Sequence, residues 1–176
     1  MPQIINERAP QLQLFAFDVD GILTDGAIIY DSTGAEIKSF FVQDGLGITG
    51  LIDAGITVAL ITGRESSMVT RRAQELNIPH VIQGEDDKIT ALSKLANKLN
   101  IPLQHCGYMG DDLIDVAAIR QAGLGVSVPN GCSEAQQAAD YVTNNHGGRG
   151  AVREVCDLIM QAIDHYPKHL AKYGAN

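Results

Sequence analysis

Apolar positions along this chain come in short unbroken runs, separated by longer stretches with helical spacing. Leu14 to Phe17, Ile56 to Ile61, Pro79 to Ile82, His105 to Met109, Leu124 to Val128 and Tyr141 to Thr143 read as strands. Uninterrupted runs of this length suit parallel strands buried on both faces. Between them, Leu46 to Ala54 (closed by Gly55), Glu65 to Leu76, Lys88 to about Leu99, the segment from Asp115 to Ala122, Cys132 to Ala139 and Ala151 to about Tyr166 read as helices. Strand and helix alternate throughout, which predicts an α/β fold with a doubly wound parallel sheet. Neither a repeat nor a linker divides residues 1–176, so a single domain is expected.

One stretch breaks the alternation. Ala27-Ile28-Ile29-Tyr30 and Glu36 to Val42 are rich in β-branched and aromatic residues, and Asp31-Ser32-Thr33-Gly34 between them is turn chemistry. A protruding β-hairpin over residues 26–42 is predicted. It carries Ile28, Ile29, Tyr30, Ile37, Phe40 and Phe41, more apolar surface than a free hairpin leaves in water, so it needs something to lie against.

Composition narrows the function. The 176 residues carry a net charge of −8, which argues against nucleic acid or an anionic membrane as partner. No run reaches the length of a membrane helix, and the polar start from Met1 to Gln13 lacks an apolar signal core. The three cysteines, Cys106, Cys132 and Cys156, have no metal-type spacing, and reduced thiols in a cytoplasmic protein are expected. His146, His165 and His169 stand among polar residues and are expected at solvated positions.

The candidate chemistry sits where strands end. Strand one runs into Asp18-Val19-Asp20-Gly21, strand two into Thr62-Gly63-Arg64, and strand four into Gly110-Asp111-Asp112-Leu113-Ile114-Asp115, while Lys88 opens a helix after strand three. Open α/β sheets bind ligands at these carboxyl ends. If the extended path continues past Phe17, Asp18 and Asp20 face the same side. Taken singly, each feature has a plainer explanation: a turn-forming acid pair, Thr62 as a helix cap, Lys88 as a solvated lysine, Asp112 as a cap. Taken together, they place several carboxylates, a hydroxyl and an ammonium in one crevice. Clustered carboxylates raise each other's pKa unless a cation neutralises them, and an all-oxygen donor set suits Mg2+.

That set, in that order, resembles the haloacid dehalogenase superfamily of phosphotransferases, over nearly the whole chain. The resemblance implies that Asp18 is a nucleophile forming an aspartyl-phosphate and that Asp20 is the acid/base. It implies that Thr62 and Lys88 hold the phosphoryl oxygens. Mg2+ would take the carboxylates of Asp18 and Asp111 and the backbone carbonyl of Asp20, with Asp112 and Asp115 supporting it. Asp115 could hold Lys88 or a metal-bound water. No insertion long enough for a cap domain follows strand one or strand three.

The hairpin, Gln43-Asp44-Gly45, Thr62-Gly63-Arg64 and Gly147-Gly148-Arg149-Gly150-Ala151-Val152-Arg153-Glu154 narrow the resemblance to the capless, tetrameric phosphatases of eight- and nine-carbon sugar acids. This implies an Mg2+-dependent phosphomonoester hydrolase acting on a small sugar acid phosphate, the eight-carbon acid serving bacterial lipopolysaccharide synthesis. It also implies a homotetramer built through the hairpins, which closes their edges and lets one subunit cover another's site. Arg64 is the candidate reader of the substrate carboxylate, although it could instead pair with a helix acid. Arg149, among glycines that would let a mobile segment reach a site, is the second. The nine-carbon enzymes tend to carry Glu where Arg64 stands, which favours the eight-carbon acid. A receiver-type phospho-aspartate signalling domain is the rival of a different class. The order of its acids and lysine fits poorly, and it would take up phosphate stoichiometrically rather than release it continuously.

Overall fold

The computed structural model describes residues 2–175. The chain opens with helix α1 (Gln3–Arg8), followed by a single 3-10 turn at Ala9–Gln11 and strand β1 (Leu14–Phe17). Two short strands, β2 (Ile29–Tyr30) and β3 (Glu36–Ile37), precede helix α2 (Val42–Asp53). There follow β4 (Thr57–Ile61), α3 (Ser67–Glu75), β5 (His80–Ile82), α4 (Lys88–Lys98), β6 (Cys106–Met109) and α5 (Val116–Gln121). The chain ends with β7 (Leu124–Ser127), α6 (Ser133–Ala138), β8 (Tyr141–Val142), α7 (Ala151–Ala162) and α8 (Tyr166–Ala171).

Six strands form one sheet in the order β5-β4-β1-β6-β7-β8. All its pairings are parallel, so the doubly wound sheet expected from the pattern is the one observed. Strand β1 lies in the middle, with Phe17 opposite Leu60 of β4 and Met109 of β6. Its four residues are all buried, and they alternate between two cores. Phe15 and Phe17 join Val58, Leu60 and Met109 beneath Ile48 and Leu51 of α2, Val69 of α3 and Val152, Val155 and Ile159 of α7. Leu14 and Ala16 join Ile61 and Tyr108 beneath Leu92 and Leu95 of α4, Ile119 of α5 and Ala135 of α6. Helices on both faces are why these strands read as continuous apolar runs.

Three local readings change. The β-ladder of the hairpin is only two residues long on each side, Ile29 opposite Ile37 and Tyr30 opposite Glu36. Its turn is held by Asp31, whose Oδ1 accepts from the Thr33 amide and hydroxyl and from the Ala35 amide. The expected second arm does not run to Val42: Phe40 packs against the core with the Arg72 guanidinium 5.9 Å from its ring centre, and α2 begins at Val42 rather than Leu46. Burial of Phe40 outweighs its strand propensity. The last long helix stops at Ala162, because Asp164 takes a left-handed φ of 56° and the chain turns into α8. His169 of α8, expected in solvent beside His146 and His165, is buried instead, between Tyr166 and Tyr173. Among the described residues no helix is long and apolar enough to cross a membrane. Cys106, Cys132 and Cys156 are all free thiols.

Candidate active site

The carboxyl ends of β1, β4 and β6 meet at a cavity of about 290 Å3 lined by Asp18, Asp20, Thr62, Arg64, Lys88, Asp111, Asp112 and Asp115, with Gly26, Gly63, Asp86 and Ile114. Eight of the nine residues singled out in the sequence are therefore in one place; Arg149 is the exception. The path that brings Asp18 and Asp20 together is not the extended one expected. Strand β1 stops at Phe17, and the amides of Ile22, Leu23 and Thr24 all turn back onto the Val19 carbonyl. Gly21 makes this possible with a φ of 94°, and a Cβ there would lie 2.0 Å from an Asp111 carboxylate oxygen. The turn and the acid from β6 fit together only because that position has no side chain.

Lys88 is the first residue of α4, behind Asp87, whose side chain caps the helix by accepting from the Thr90 amide. Its side chain is fully buried, and Nζ donates to Asp18 Oδ1 at 2.6 Å and to the Ile61 carbonyl at 2.9 Å. A solvated lysine is thereby excluded. Thr62 is buried, and its hydroxyl accepts weakly from the Arg64 amide at 3.3 Å. Asp115 Oδ1 accepts from the Tyr108 hydroxyl at 2.6 Å, while Oδ2 accepts from the Asp111 and Asp112 amides. Asp112 caps the short turn at Leu113–Asp115 reciprocally with Asp115, as its plainer reading had it. Asp115 thus braces the loop that carries Asp111, and Tyr108, unremarked in the sequence, braces Asp115.

Carboxylate oxygens of Asp18, Asp111 and Asp115 lie within 4.8 Å of one another. Burial, then the nearby Asp115, pushes the Asp18 carboxyl up to about 8, against the pull of Lys88. Burial, then Asp115 and Asp112, pushes Asp111 up to about 7. One ammonium does not neutralise such a group. Asp111 Oδ1 and Asp20 Oδ2 are buried and find no hydrogen-bond partner among the described residues. An all-oxygen set with unpartnered carboxylate oxygens fits a hard divalent cation such as Mg2+.

Arg64 borders the cavity, but its partner is a hairpin acid, not a helix acid. Nη2 donates to Glu36 Oε1 at 2.8 Å, and Nε stands 3.9 Å from Asp20 Oδ2. Glu36 also accepts from the Ser66 hydroxyl, and these two bonds hold its carboxyl below the usual range, Arg64 first. Lys38, two residues further along the hairpin, contacts Asp20 and has almost no exposed side-chain surface. Glu36 and Lys38 were missed in the sequence, although their alternation with Ile37 puts both on the face opposite the apolar one. Arg149 does not line the cavity. Its side chain is two-thirds exposed, with the guanidinium 3.5 Å from Asp25. Nor is its segment loosely attached: the Gly148 amide donates to the Ile22 carbonyl at 2.7 Å and the Gly147 amide to Asn130.

Comparisons with known proteins agree with this geometry. The model of the haloacid dehalogenase-like hydrolases matches residues 78–155. A curated relative from Yersinia pestis, a 3-deoxy-D-manno-octulosonate 8-phosphate phosphatase, is 45% identical over 90% of this chain and 84% of its own length. Its counterpart from Escherichia coli K12 is 44% identical over 88% of this chain and 82% of its own length. The structure of the phosphatase of that name from Moraxella catarrhalis, in complex with a magnesium ion, a phosphate ion and a KDO molecule, is 56% identical and has a TM-score of 0.95, covering 96% of this chain and 97% of that one. A cobalt-bound form from Haemophilus influenzae is 38% identical with a TM-score of 0.86, covering 90% and 93%. These relatives are hydrolases, which sets the signalling-domain alternative aside. The chain belongs to the haloacid dehalogenase-like hydrolases, in the family of the 3-deoxy-D-manno-octulosonate 8-phosphate phosphatases.

Proposed function

We propose that this protein is a Mg2+-dependent phosphatase that hydrolyses 3-deoxy-D-manno-octulosonate 8-phosphate to the free sugar acid and inorganic phosphate, a step of lipopolysaccharide synthesis. The observation that carries the chemistry is the buried Asp18–Lys88 pair set among the carboxylates of Asp111 and Asp115 at the central strand ends. The relatives' names and the Moraxella complex support the substrate.

Lys88 holds one oxygen of Asp18, so the other is the attacking atom. It bonds to phosphorus as the bond from phosphorus to the sugar oxygen breaks, and Asp20 gives that oxygen a proton. Asp20 then takes a proton from water, whose oxygen displaces Asp18 from phosphorus and frees phosphate. Thr62 and Lys88 offer donors to the phosphoryl oxygens. A divalent ion held by Asp18, Asp111 and the Asp20 carbonyl, with Asp115 and Asp112 supporting the loop, supplies charge neutralisation for the transferring group. The protein's part is to keep these oxygens fixed before substrate arrives.

Arg64 is read as the partner of the sugar carboxylate, and Arg149 as a residue that reaches a neighbouring subunit's site. The exposed Ile28, Ile29, Tyr30 and Ile37 support a homotetramer joined through the hairpins. The residues act as one domain in the cytoplasm, a reading that the three free cysteines support. A phosphate-release screen over eight- and nine-carbon sugar acid phosphates, with and without Mg2+, tests the proposal. Faster turnover of the nine-carbon 9-phosphate overturns the substrate, and metal-independent release overturns the mechanism.

A further inference from the structure

Four charged side chains close a ring at the mouth of the cavity. Arg64 donates to Glu36 Oε1 at 2.8 Å, and the same oxygen lies 3.5 Å from Lys38 Nζ. Lys38 contacts Asp20 Oδ1, and Asp20 Oδ2 stands 3.9 Å from Arg64 Nε. Charges alternate around the ring. Two members, Asp20 and Arg64, come from the strand ends, and two, Glu36 and Lys38, from the hairpin.

Arg64 meets Glu36 through one bond, with the Tyr30 hydroxyl as a further neighbour. A guanidinium takes a carboxylate best through two parallel bonds, yet only Nη2 bonds to Glu36. Nε is buried and finds no partner among the described residues. The Arg64 side chain remains 41% exposed, whereas Glu36 is 15% exposed and held from its far oxygen by Ser66 Oγ at 2.9 Å. An incoming carboxylate therefore meets an accessible guanidinium already bound to one carboxylate. Asp20 already stands near this cation, so a further carboxylate competes with Glu36 for it. Displacement does not strand Glu36, because Ser66 and Lys38 stay beside it.

We propose that Glu36 is a built-in stand-in for the substrate carboxylate: it occupies Arg64 between turnovers and yields it, shifting onto Lys38, only to a ligand that brings a carboxylate of its own. The inference rests on the reading of Arg64 as the carboxylate's partner. Selectivity then comes from an exchange. A phosphoester without a carboxylate gains nothing from Arg64, because it cannot replace the bond to Glu36. A sugar acid phosphate trades one carboxylate for another, so Arg64 keeps a partner throughout.

The sign of one kinetic change tests this. Glu36→Gln keeps the shape and the acceptor for Ser66 but removes the competing charge. KM for 3-deoxy-D-manno-octulosonate 8-phosphate is expected to fall about two- to fivefold, the range of one partly exposed ion pair. KM for an alditol phosphate without a carboxylate is expected to stay within about twofold. Inhibition by the free sugar acid should tighten in parallel. If Glu36 merely orients Arg64, KM for the sugar acid phosphate rises instead; that result, no change, or an equal change on both substrates overturns the inference. Glu36→Ala decides the matter if Glu36→Gln does not fold: it also removes the competing charge, so KM for the sugar acid phosphate falls, and a rise or no change overturns the inference. Arg64→Ala separates the two levels. Equal losses on both substrates refute the reading of Arg64 itself. A loss confined to the sugar acid phosphate, with KM raised in Glu36→Gln, refutes only the role of Glu36.

Discussion

Replacing Asp111 with asparagine is expected to stabilise the metal-free protein above pH 7, although it removes a residue of the site. Burial and the neighbouring Asp115 and Asp112 lift the Asp111 carboxyl from 3.8 to about 7. Between those values the folded chain binds a proton that the unfolded chain has released, so stability falls as pH rises through this window. Above pH 7 the whole penalty is present. The gap between 3.8 and about 7 corresponds to a ceiling of ~4 kcal/mol, and partial access to water reduces it to ~1–3 kcal/mol. Asparagine has the same shape and no charge, and Asp111 Oδ1 has no hydrogen bond to lose. Relief at Asp18, whose carboxyl is raised partly by Asp111, adds to the gain. Urea unfolding in a chelating buffer at pH 5 and pH 8 reads the effect: the variant should gain over wild type mainly at pH 8. Adding Mg2+ should reverse the ranking at pH 8, since a ligand of the native state stabilises in proportion to its binding. A metal-free variant less stable than wild type at pH 8, or a difference independent of pH, refutes the reasoning.

Asp18→Asn should abolish phosphate release while leaving the circular dichroism of a folded protein, and chelation should abolish release reversibly; retained turnover in a continuous phosphate assay refutes the covalent route. Tyr108→Phe leaves one Asp115 oxygen without its 2.6 Å donor, so it should cost ~1–3 kcal/mol of stability and weaken Mg2+ binding, both measurable by thermal unfolding against a Mg2+ titration. Ile29→Lys with Ile37→Lys should dissociate the proposed tetramer in sedimentation without unfolding the protomer, because both side chains are exposed; a wild-type monomer at micromolar concentration refutes the assembly. His169 is buried, and burial holds its ring below its ordinary value, so its neutral form belongs to the fold. As pH falls through about 6.5, α8 should open before the sheet, seen as early amide exchange over Tyr166–Ala171, and His169→Phe should remove that sensitivity.

The sheet was legible because its strands are covered on both sides, and runs such as Leu14–Phe17 and Thr57–Ile61 need no partner to be recognised. The reacting groups were legible because strand ends in such a sheet converge wherever the chain crosses over, so order alone brought Asp18, Thr62, Lys88 and Asp111 together. Contacts between distant segments were not. Phe40 looks like a strand residue until the core takes it, and His169 looks solvated until α8 folds back. The glycines around Arg149 suggest freedom, yet they serve close packing: a Cβ on Gly147 would overlap the Gly21 carbonyl at 1.7 Å. A short tail helix and a backbone pressed against backbone leave almost no periodic trace.

The hairpin is where these two kinds of information meet. Its outer residues, Ile29 and Ile37, lie opposite one another and are exposed and apolar. Its inner ones, Glu36 and Lys38, are bound to Arg64 and Asp20 at the cavity. A two-residue ladder is too short to hold such an element rigid by itself, so its position depends on what touches each face. Inside, that is a ring of charges; outside, on the proposed assembly, it is other copies of the same surface. A change of packing on the apolar face is therefore transmitted to Glu36 and Lys38 across a single residue, Ile37, between them. On this reasoning the dissociated Ile29→Lys/Ile37→Lys protomer should lose discrimination between carboxylate-bearing and carboxylate-free phosphoesters before it loses Mg2+-dependent turnover. The selectivity ratio at protein concentrations above and below dissociation measures this. A ratio that stays constant while turnover falls means that the hairpin serves assembly alone.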